Sequence, residues 1–153
     1  MEERLYFPLF FDLSEKTVLV AGGGKIAARR VRTLLPFAGR VVVVAPEPSS
    51  ELTALAAAGE VELRRRGFDP CDLDGADLAL CATGDETVDA RVVELCRTRG
   101  IWVNAASDRG KCDFYFPGVA RRDNIVVGVT ASGADHAAAR VTTEAIRKLL
   151  EDE

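Results

Sequence analysis

The sequence predicts an α/β fold: a doubly wound parallel sheet with an appended antiparallel hairpin and a C-terminal helix. Three observations predict it. Short β-branched runs alternate with helix-like segments as far as Asn104, the order that builds parallel sheets from βαβ units. Three glycines, Gly22-Gly23-Gly24, stand between the first such run and the first helical pattern. Beyond Asn104 the alternation stops. Arg121-Arg122-Asp123-Asn124, between two strand-like runs there, is too short for a crossover, and so short a turn joins antiparallel strands.

The elements follow in order. Tyr6-Phe7-Pro8-Leu9-Phe10-Phe11-Asp12-Leu13 is too short and too Pro-interrupted for a helix; it reads as an extended piece laying aromatics on a sheet edge. The first strand is expected over residues 17–21 and the first helix over about 25–37. In that helix Ile26, Ala27, Val31, Leu34 and Leu35 recur at helical spacing, Arg29, Arg30 and Arg32 fill a solvated face, and Pro36 and Gly39 stop it. The valine run at 41–45 suits a parallel strand buried on both faces. Ser49 or Ser50 can cap a short helix over 51–58, and a third strand covers 61–64. Arg64-Arg65-Arg66, at the end of an edge strand, is expected to be a solvated edge that resists aggregation. A connecting turn at Asp69-Pro70 carries one helical turn around Leu73. The fourth strand covers 78–82, and Thr83-Gly84-Asp85 turns at its carboxyl end. Asp85 or Thr87 caps a helix over 88–99, and the fifth strand, 101–103, ends in Asn104. Phe114-Tyr115-Phe116 and Ile125-Val126-Val127-Gly128-Val129 are the strands of the hairpin, and the last helix covers about 135–150.

Composition limits what such a fold can do. The chain has 153 residues, enough for one domain or slightly more, with an ordinary globular balance of 48% hydrophobic and 29% charged residues. A net charge of −4 argues against nucleic acid as a partner. The acidic start Met1-Glu2-Glu3-Arg4 leads into no apolar core, so no signal peptide is expected. No apolar run approaches the roughly 20 residues of a membrane helix, so no membrane partner is expected and the expected location is cytoplasmic. Cys71, Cys81, Cys96 and Cys112 form no CxxC pair and no metal site, which fits a reduced compartment.

The glycines point to a dinucleotide. Gly22 lets the chain turn off the strand, Gly24 clears the approach of backbone to a pyrophosphate, and Ala27 lets the helix pack close to the strand. The anion would lie on the free N–H groups at the helix start, which puts Gly23, Lys25 and Ile26 in the cofactor set. The second strand ends in Ala45-Pro46 rather than an acid for the ribose, so the adenosine end is held by something else, or by Glu47 displaced past a proline. Residues 104–140 collect Asn104, Ser107, Asp108 and Asp113 with Arg109, Lys111, Arg121, Arg122 and Arg140, together with His136, the one histidine. Thr130-Ala131-Ser132-Gly133, ahead of the last helix, offers a second anion site. A cofactor loop beside a basic, oxygen-rich region suggests a dehydrogenase acting on a polyanion; Asp113 can equally cap or pair locally, and Arg121 and Arg122 can equally be solvated.

The same residues carry a resemblance over nearly the whole chain. It runs through Tyr6-Phe7-Pro8-Leu9-Phe10, Val18 to Arg30 around the glycines, Ala82-Thr83-Gly84-Asp85, Asn104-Ala105-Ala106-Ser107-Asp108, Val129-Thr130-Ala131-Ser132-Gly133 and Ala139-Arg140. Its most specific part is Cys112-Asp113-Phe114-Tyr115-Phe116-Pro117-Gly118. Together these resemble the precorrin-2 dehydrogenase (sirohydrochlorin-forming) family, the N-terminal module of siroheme synthases. The resemblance implies a Rossmann-type fold and NAD-dependent oxidation of precorrin-2, a tetrapyrrole with many carboxylates, to sirohydrochlorin. It also implies a homodimer, with an NAD-binding Rossmann domain over 1–110 and a dimerisation and substrate-binding extension over 111–153. By that likeness Gly22 and Gly24 touch the pyrophosphate, Thr83 and Gly84 line the nicotinamide side, and Asn104 belongs to the cofactor site. Arg109, Lys111, Ser132 and Arg140 would dock the substrate. The family commonly carries an aspartate where this chain has Ser107; Asp108 follows one residue later, so Asp108 or His136 is expected to accept the proton. Three alternatives stand beside this: a dehydrogenase that is also a sirohydrochlorin ferrochelatase, a non-enzymatic NAD-sensing module, and a tetrapyrrole carrier.

Overall fold

The computed structural model describes residues 5–152; the acidic start Met1-Glu2-Glu3-Arg4 lies outside them. The chain forms two compact units, Phe11–Phe114 and a second made of Tyr115–Glu153 with the segment ending at Phe10. The sequence expectation divided the chain at 110/111 and kept the N-terminal segment with the first part; the fold divides it at 114/115 and gives that segment to the second unit.

In the larger unit, five strands form one parallel sheet: β1 (Thr17–Ala21), β2 (Arg40–Val44), β3 (Glu62–Arg64), β4 (Leu78–Cys81) and β5 (Trp102–Ala105), in the order β3-β2-β1-β4-β5. Three helices connect them: α1 (Lys25–Leu34), α2 (Ser50–Ala57) and α3 (Glu86–Arg99). A single 3-10 turn, Pro70–Leu73, lies between β3 and β4. Because side chains alternate across a strand, the valine runs fill both faces. Leu19, Val42, Ala79 and Val103, neighbours in register, join Val92, Val93 and Cys96 of α3 in one buried cluster. Val18, Val20, Val43 and Leu80 are buried on the other face, where the Arg30 side chain of α1 reaches Asn104 of β5.

The helix ends follow local chemistry. The Ser49 side chain accepts from the Leu52 N–H at the start of α2. At the start of α3, Asp85 accepts from the Thr87 and Val88 N–H groups, and Gly100 ends the helix in the left-handed conformation at φ 68°. The first helix is three residues shorter than expected: it ends at Leu34 with Leu35, still helical at φ −50°, as its cap, because Pro36 has no N–H to carry the ladder on.

Two expectations are revised here. Arg65 and Arg66 are exposed at the edge strand, as expected, but the three arginines are not merely solvated. Arg64 and Arg66 both grip Asp72, whose side chain is fully buried, at 2.7 and 2.6 Å, and Arg65 donates to Thr53. Burial alone would raise the Asp72 carboxyl, but Arg66, the Asp69 N–H and Arg64 hold it down to about 2. Phe114-Tyr115-Phe116 is not a hairpin strand either. The Asp113 N–H and carboxylate pair with Val103 O and N, each at 2.9 Å, so the chain here covers the β5 edge. Pro117, which has no N–H to give a ladder, follows, and the strand begins after it.

In the second unit, β6 (Gly118–Arg122) and β7 (Ile125–Val129) form the antiparallel hairpin, turning at Asp123-Asn124 with Asp123 at φ 50°. Helix α4 (His136–Glu151) packs on β6: a Cβ at Gly118 would stand 2.3 Å from Thr143 Oγ1, and Arg147 donates to Val119 O at 2.8 Å. Tyr6 and Tyr115 meet edge to face, 4.4 Å between ring centres. On the larger unit it is Phe11 that lays its ring on the sheet edge, against Trp102 of β5 at 5.1 Å.

Candidate functional site

The strand order reverses between β1 and β4, so the loops leaving their carboxyl ends diverge and open a crevice; in open α/β sheets ligands bind there. Gly22 to Gly24 line one side of it. Gly22 adopts φ 130°, and a Cβ there would stand 2.1 Å from Ala82 O of the loop after β4, so only glycine fits. Gly23 is small for a different reason: its Cβ would meet Ala45 Cβ at 2.6 Å and Pro48 Cα at 2.9 Å, so the loop after β2 packs onto it. A Cβ at Gly24 would meet nothing within 4 Å, and Gly24 is the N-cap of α1 with no side-chain cap. No acid stands in the first turn of α1, where Lys25 and Ile26 are exposed. That leaves open, electropositive N–H groups facing free space, the arrangement an oxyanion takes. Ala27 is fully buried, as close packing of helix on strand requires. Pro46 and Glu47 are exposed on the loop after β2.

Thr83 and Gly84 leave β4 on the other side of the crevice. Gly84 is exposed at φ 78°, whereas the Thr83 hydroxyl is turned inward and donates to Asp89 Oδ1 at 2.6 Å. The Asp85 N–H donates to that hydroxyl in turn, at 3.1 Å. Asp89 is buried in the first turns of α3 and also accepts from the Thr83 N–H and from Ser107 Oγ, each at 3.3 Å. An open recess beside it is lined by Glu86, Asp89, Ala105, Ser107, Asp108 and Lys111. Asp108 is the N-cap of the single 3-10 turn Arg109–Lys111: it accepts from the Gly110 N–H at 2.9 Å and pairs with Lys111 at 3.3 Å.

Asn104, expected at the cofactor, spends its amide inside the protein. Its oxygen accepts from Arg30 at 2.6 Å and its nitrogen donates to Phe114 O at 2.8 Å. Arg30 is therefore not part of a solvated face, and its burial lowers the guanidinium's proton affinity. Cys112 is half-buried against Ala105, and burial pushes its thiol up.

The remaining candidates, Ser132, His136 and Arg140, belong to the second unit. Ser132 stands at φ 54° in the turn before α4, with its N–H on Thr130 Oγ1, and is not a helix-start residue. The start of α4 is capped by the Asp135 carboxylate, which accepts from the Ala138 N–H at 2.8 Å. An acid already in that place opposes a second anion there, contrary to the expectation for residues 130–133. His136 and Arg140 are exposed on α4. Among the described residues no group of three or more His, Cys, Asp and Glu side chains could hold a metal ion, and no helix is long and apolar enough to cross a membrane.

Two residues of this site were missed in the sequence. Asp89 stands three, four and seven residues before Val92, Val93 and Cys96, on the helix's buried stripe. A carboxylate at a core position of a helical pattern was the available signal. Arg30 carried a weaker one, next to the buried Val31 and four residues before the buried Leu34.

A family model described as putative NAD(P)-binding, NAD_binding_7, matches residues 9–118. The "Probable multifunctional siroheme biosynthesis protein HemA" of Ruminiclostridium josui is 39% identical over 144 residues, 94% of this chain and 28% of that protein. The "Siroheme synthase" of Photorhabdus laumondii subsp. laumondii is 37% identical over 145 residues, 95% of this chain and 31% of that protein. The chain thus spans less than a third of the length of these curated relatives. A solved structure, "SirC, precorrin-2 dehydrogenase", matches with a TM-score of 0.77 and 25% identity, over 95% of this chain and 74% of that one.

Proposed function

Because the chain belongs to the NAD_binding_7 family of putative NAD(P)-binding domains, we propose that it is an NAD-dependent dehydrogenase that oxidises precorrin-2 to sirohydrochlorin in siroheme formation. The observation that carries this reading is the open start of α1 behind Gly24, at the β1/β4 crevice of a chain whose relatives are named for siroheme synthesis and precorrin-2 dehydrogenation. Gly24, Lys25 and the first N–H groups of α1 hold the pyrophosphate. Gly22 and Gly23 let the loops after β4 and β2 close around it. No arginine stands in Ala45-Pro46-Glu47 after β2, which favours free ribose hydroxyls over a 2′-phosphate and hence NAD over NADP. When bound, NAD+ supplies the hydride acceptor. Arg109 and Lys111 supply positive charge for the substrate's carboxylates.

The chain acts as a homodimer. The second unit supports this by exposing large apolar side chains: Val141 and Leu149 on α4, Ile125 on β7, and Leu5 and Phe7. So much apolar surface on so small a unit is typical of a contact face. The four free cysteines fit a reducing, cytoplasmic location.

Incubating the protein with precorrin-2 under anaerobic conditions, with and without NAD+, tests the reading. Sirohydrochlorin is expected to form only when protein and NAD+ are both present. Formation no faster than in the protein-free control would overturn it.

A further inference from the structure

We propose that Asp89 is the positioning carboxylate of the reaction and that Ser107 is the residue through which it takes the substrate's proton. The inference rests on the dehydrogenase reading and deepens it.

Three observations lead to it. Asp89 is only 4% exposed, a rare place for a carboxylate in a helix otherwise packed by Val92, Val93 and Cys96. Its two oxygens do different work: Oδ1 is anchored by the Thr83 hydroxyl and N–H of the loop after β4, while Oδ2 accepts from Ser107 Oγ at 3.3 Å. Ser107 is itself exposed, at the mouth of the recess and just beyond the carboxyl end of β5. A buried, anchored carboxylate thus stands behind an accessible hydroxyl, at the carboxyl end of the sheet, the end from which the glycine loop also leaves. A serine alone is a weak base; a carboxylate accepting its proton makes its oxygen a competent one.

Asp108, the other carboxylate beside Ser107 in the chain, is engaged differently. Its oxygens serve the Gly110 N–H and Lys111, in the turn that follows. Glu86 and Asp89 come from the same first turns of α3, but Asp89 is the one bonded to Ser107.

Two-electron oxidation takes one hydride and one proton from the tetrapyrrole. The hydride passes to the dinucleotide. The proton passes to Ser107 Oγ as the hydroxyl's own proton moves to Asp89 Oδ2. Asp89 then returns a proton to solvent through Ser107. At 3.3 Å the hydroxyl is within reach of the carboxylate for this transfer.

Asp89→Asn tests this, because the amide keeps the volume and can still accept from Thr83. It is expected to lower kcat by about a hundredfold or more, with KM for precorrin-2 and the calorimetric Kd for NAD+ within about threefold of the wild type. Ser107→Ala, at an exposed position, is expected to lose as much, and the double variant no more than either, since the two act as one unit. Ser107→Asp placed in the Asp89→Asn background sets a carboxylate directly at the mouth and is expected to recover at least about a tenth of the lost rate. A purely structural Asp89 would not be rescued this way. If Asp89→Asn turns over within threefold of the wild type, or if the loss is confined to Asp108→Asn, the inference is overturned while the dehydrogenase stands. If the wild-type protein binds NAD+ yet does not oxidise precorrin-2, the dehydrogenase reading and this inference fall together.

Discussion

Gly22 and Gly24 lie two residues apart and answer to different neighbours. A methyl group at Gly22 meets a backbone carbonyl at 2.1 Å from a left-handed conformation; at Gly24 it meets open space. Gly22→Ala is therefore expected to cost roughly 3 kcal/mol or more of stability, through strain and overpacking. Gly24→Ala is expected to fold within about 1 kcal/mol of the wild type and to weaken NAD+ binding on the order of tenfold, about 1.4 kcal/mol. Thermal melts and calorimetric titration of the two variants check this, and a stable Gly22→Ala would contradict it. The glycines were legible because a local pattern carries their reason. Asp89 and Arg30 were not, because their partners come from elsewhere in the chain: Ser107 is 18 residues from Asp89, and Asn104 is 74 from Arg30. Only the fold brings those groups together, burying Asp89 and half-burying Arg30.

The elements of the sheet were legible almost throughout, since valine runs, Ser49, Asp85 and Gly100 each act on their immediate neighbours. The contacts at the edges were not. β3 was legible as an edge strand, but that Asp113 covers β5, and that Arg64 and Arg66 grip Asp72, depends on how the connecting segments fold back. The Asp72 grip has a pH signature. Its carboxyl is depressed to about 2 in the folded chain, so its contribution is fully present above the ordinary carboxylate pKa and is lost as pH falls through about 2. That contribution is on the order of 2 kcal/mol. Asp72→Asn leaves two arginines without their shared partner and is expected to destabilise the protein by roughly 3 kcal/mol at pH 7. Urea unfolding at pH 7 and pH 3 should find the gap between variant and wild type narrowing at the lower pH; a gap that widens would contradict the sign. The hairpin was anticipated in kind but displaced along the chain, because Pro117 moves its first strand past the aromatic run.

For the whole molecule, composition already excluded much, and the glycine loop named a cofactor class, but neither says what the second unit's bare apolar surface is for. Val141 and Leu149 lie eight residues apart on α4, about two helical turns, and both are exposed. The wild type is expected to be a dimer in light scattering, and changing each to Asp is expected to give a monomer with little loss of secondary structure. A wild type that is already monomeric would contradict the contact-face reading. On the proposed function, the chain couples dinucleotide reduction to tetrapyrrole oxidation. The most direct test measures both products in one anaerobic reaction, NADH and sirohydrochlorin by absorbance, starting from precorrin-2 and NAD+. The two products are expected to appear together in equal amounts at every time point. Sirohydrochlorin without matching NADH, or NAD+ bound and left unreduced, would contradict the coupling.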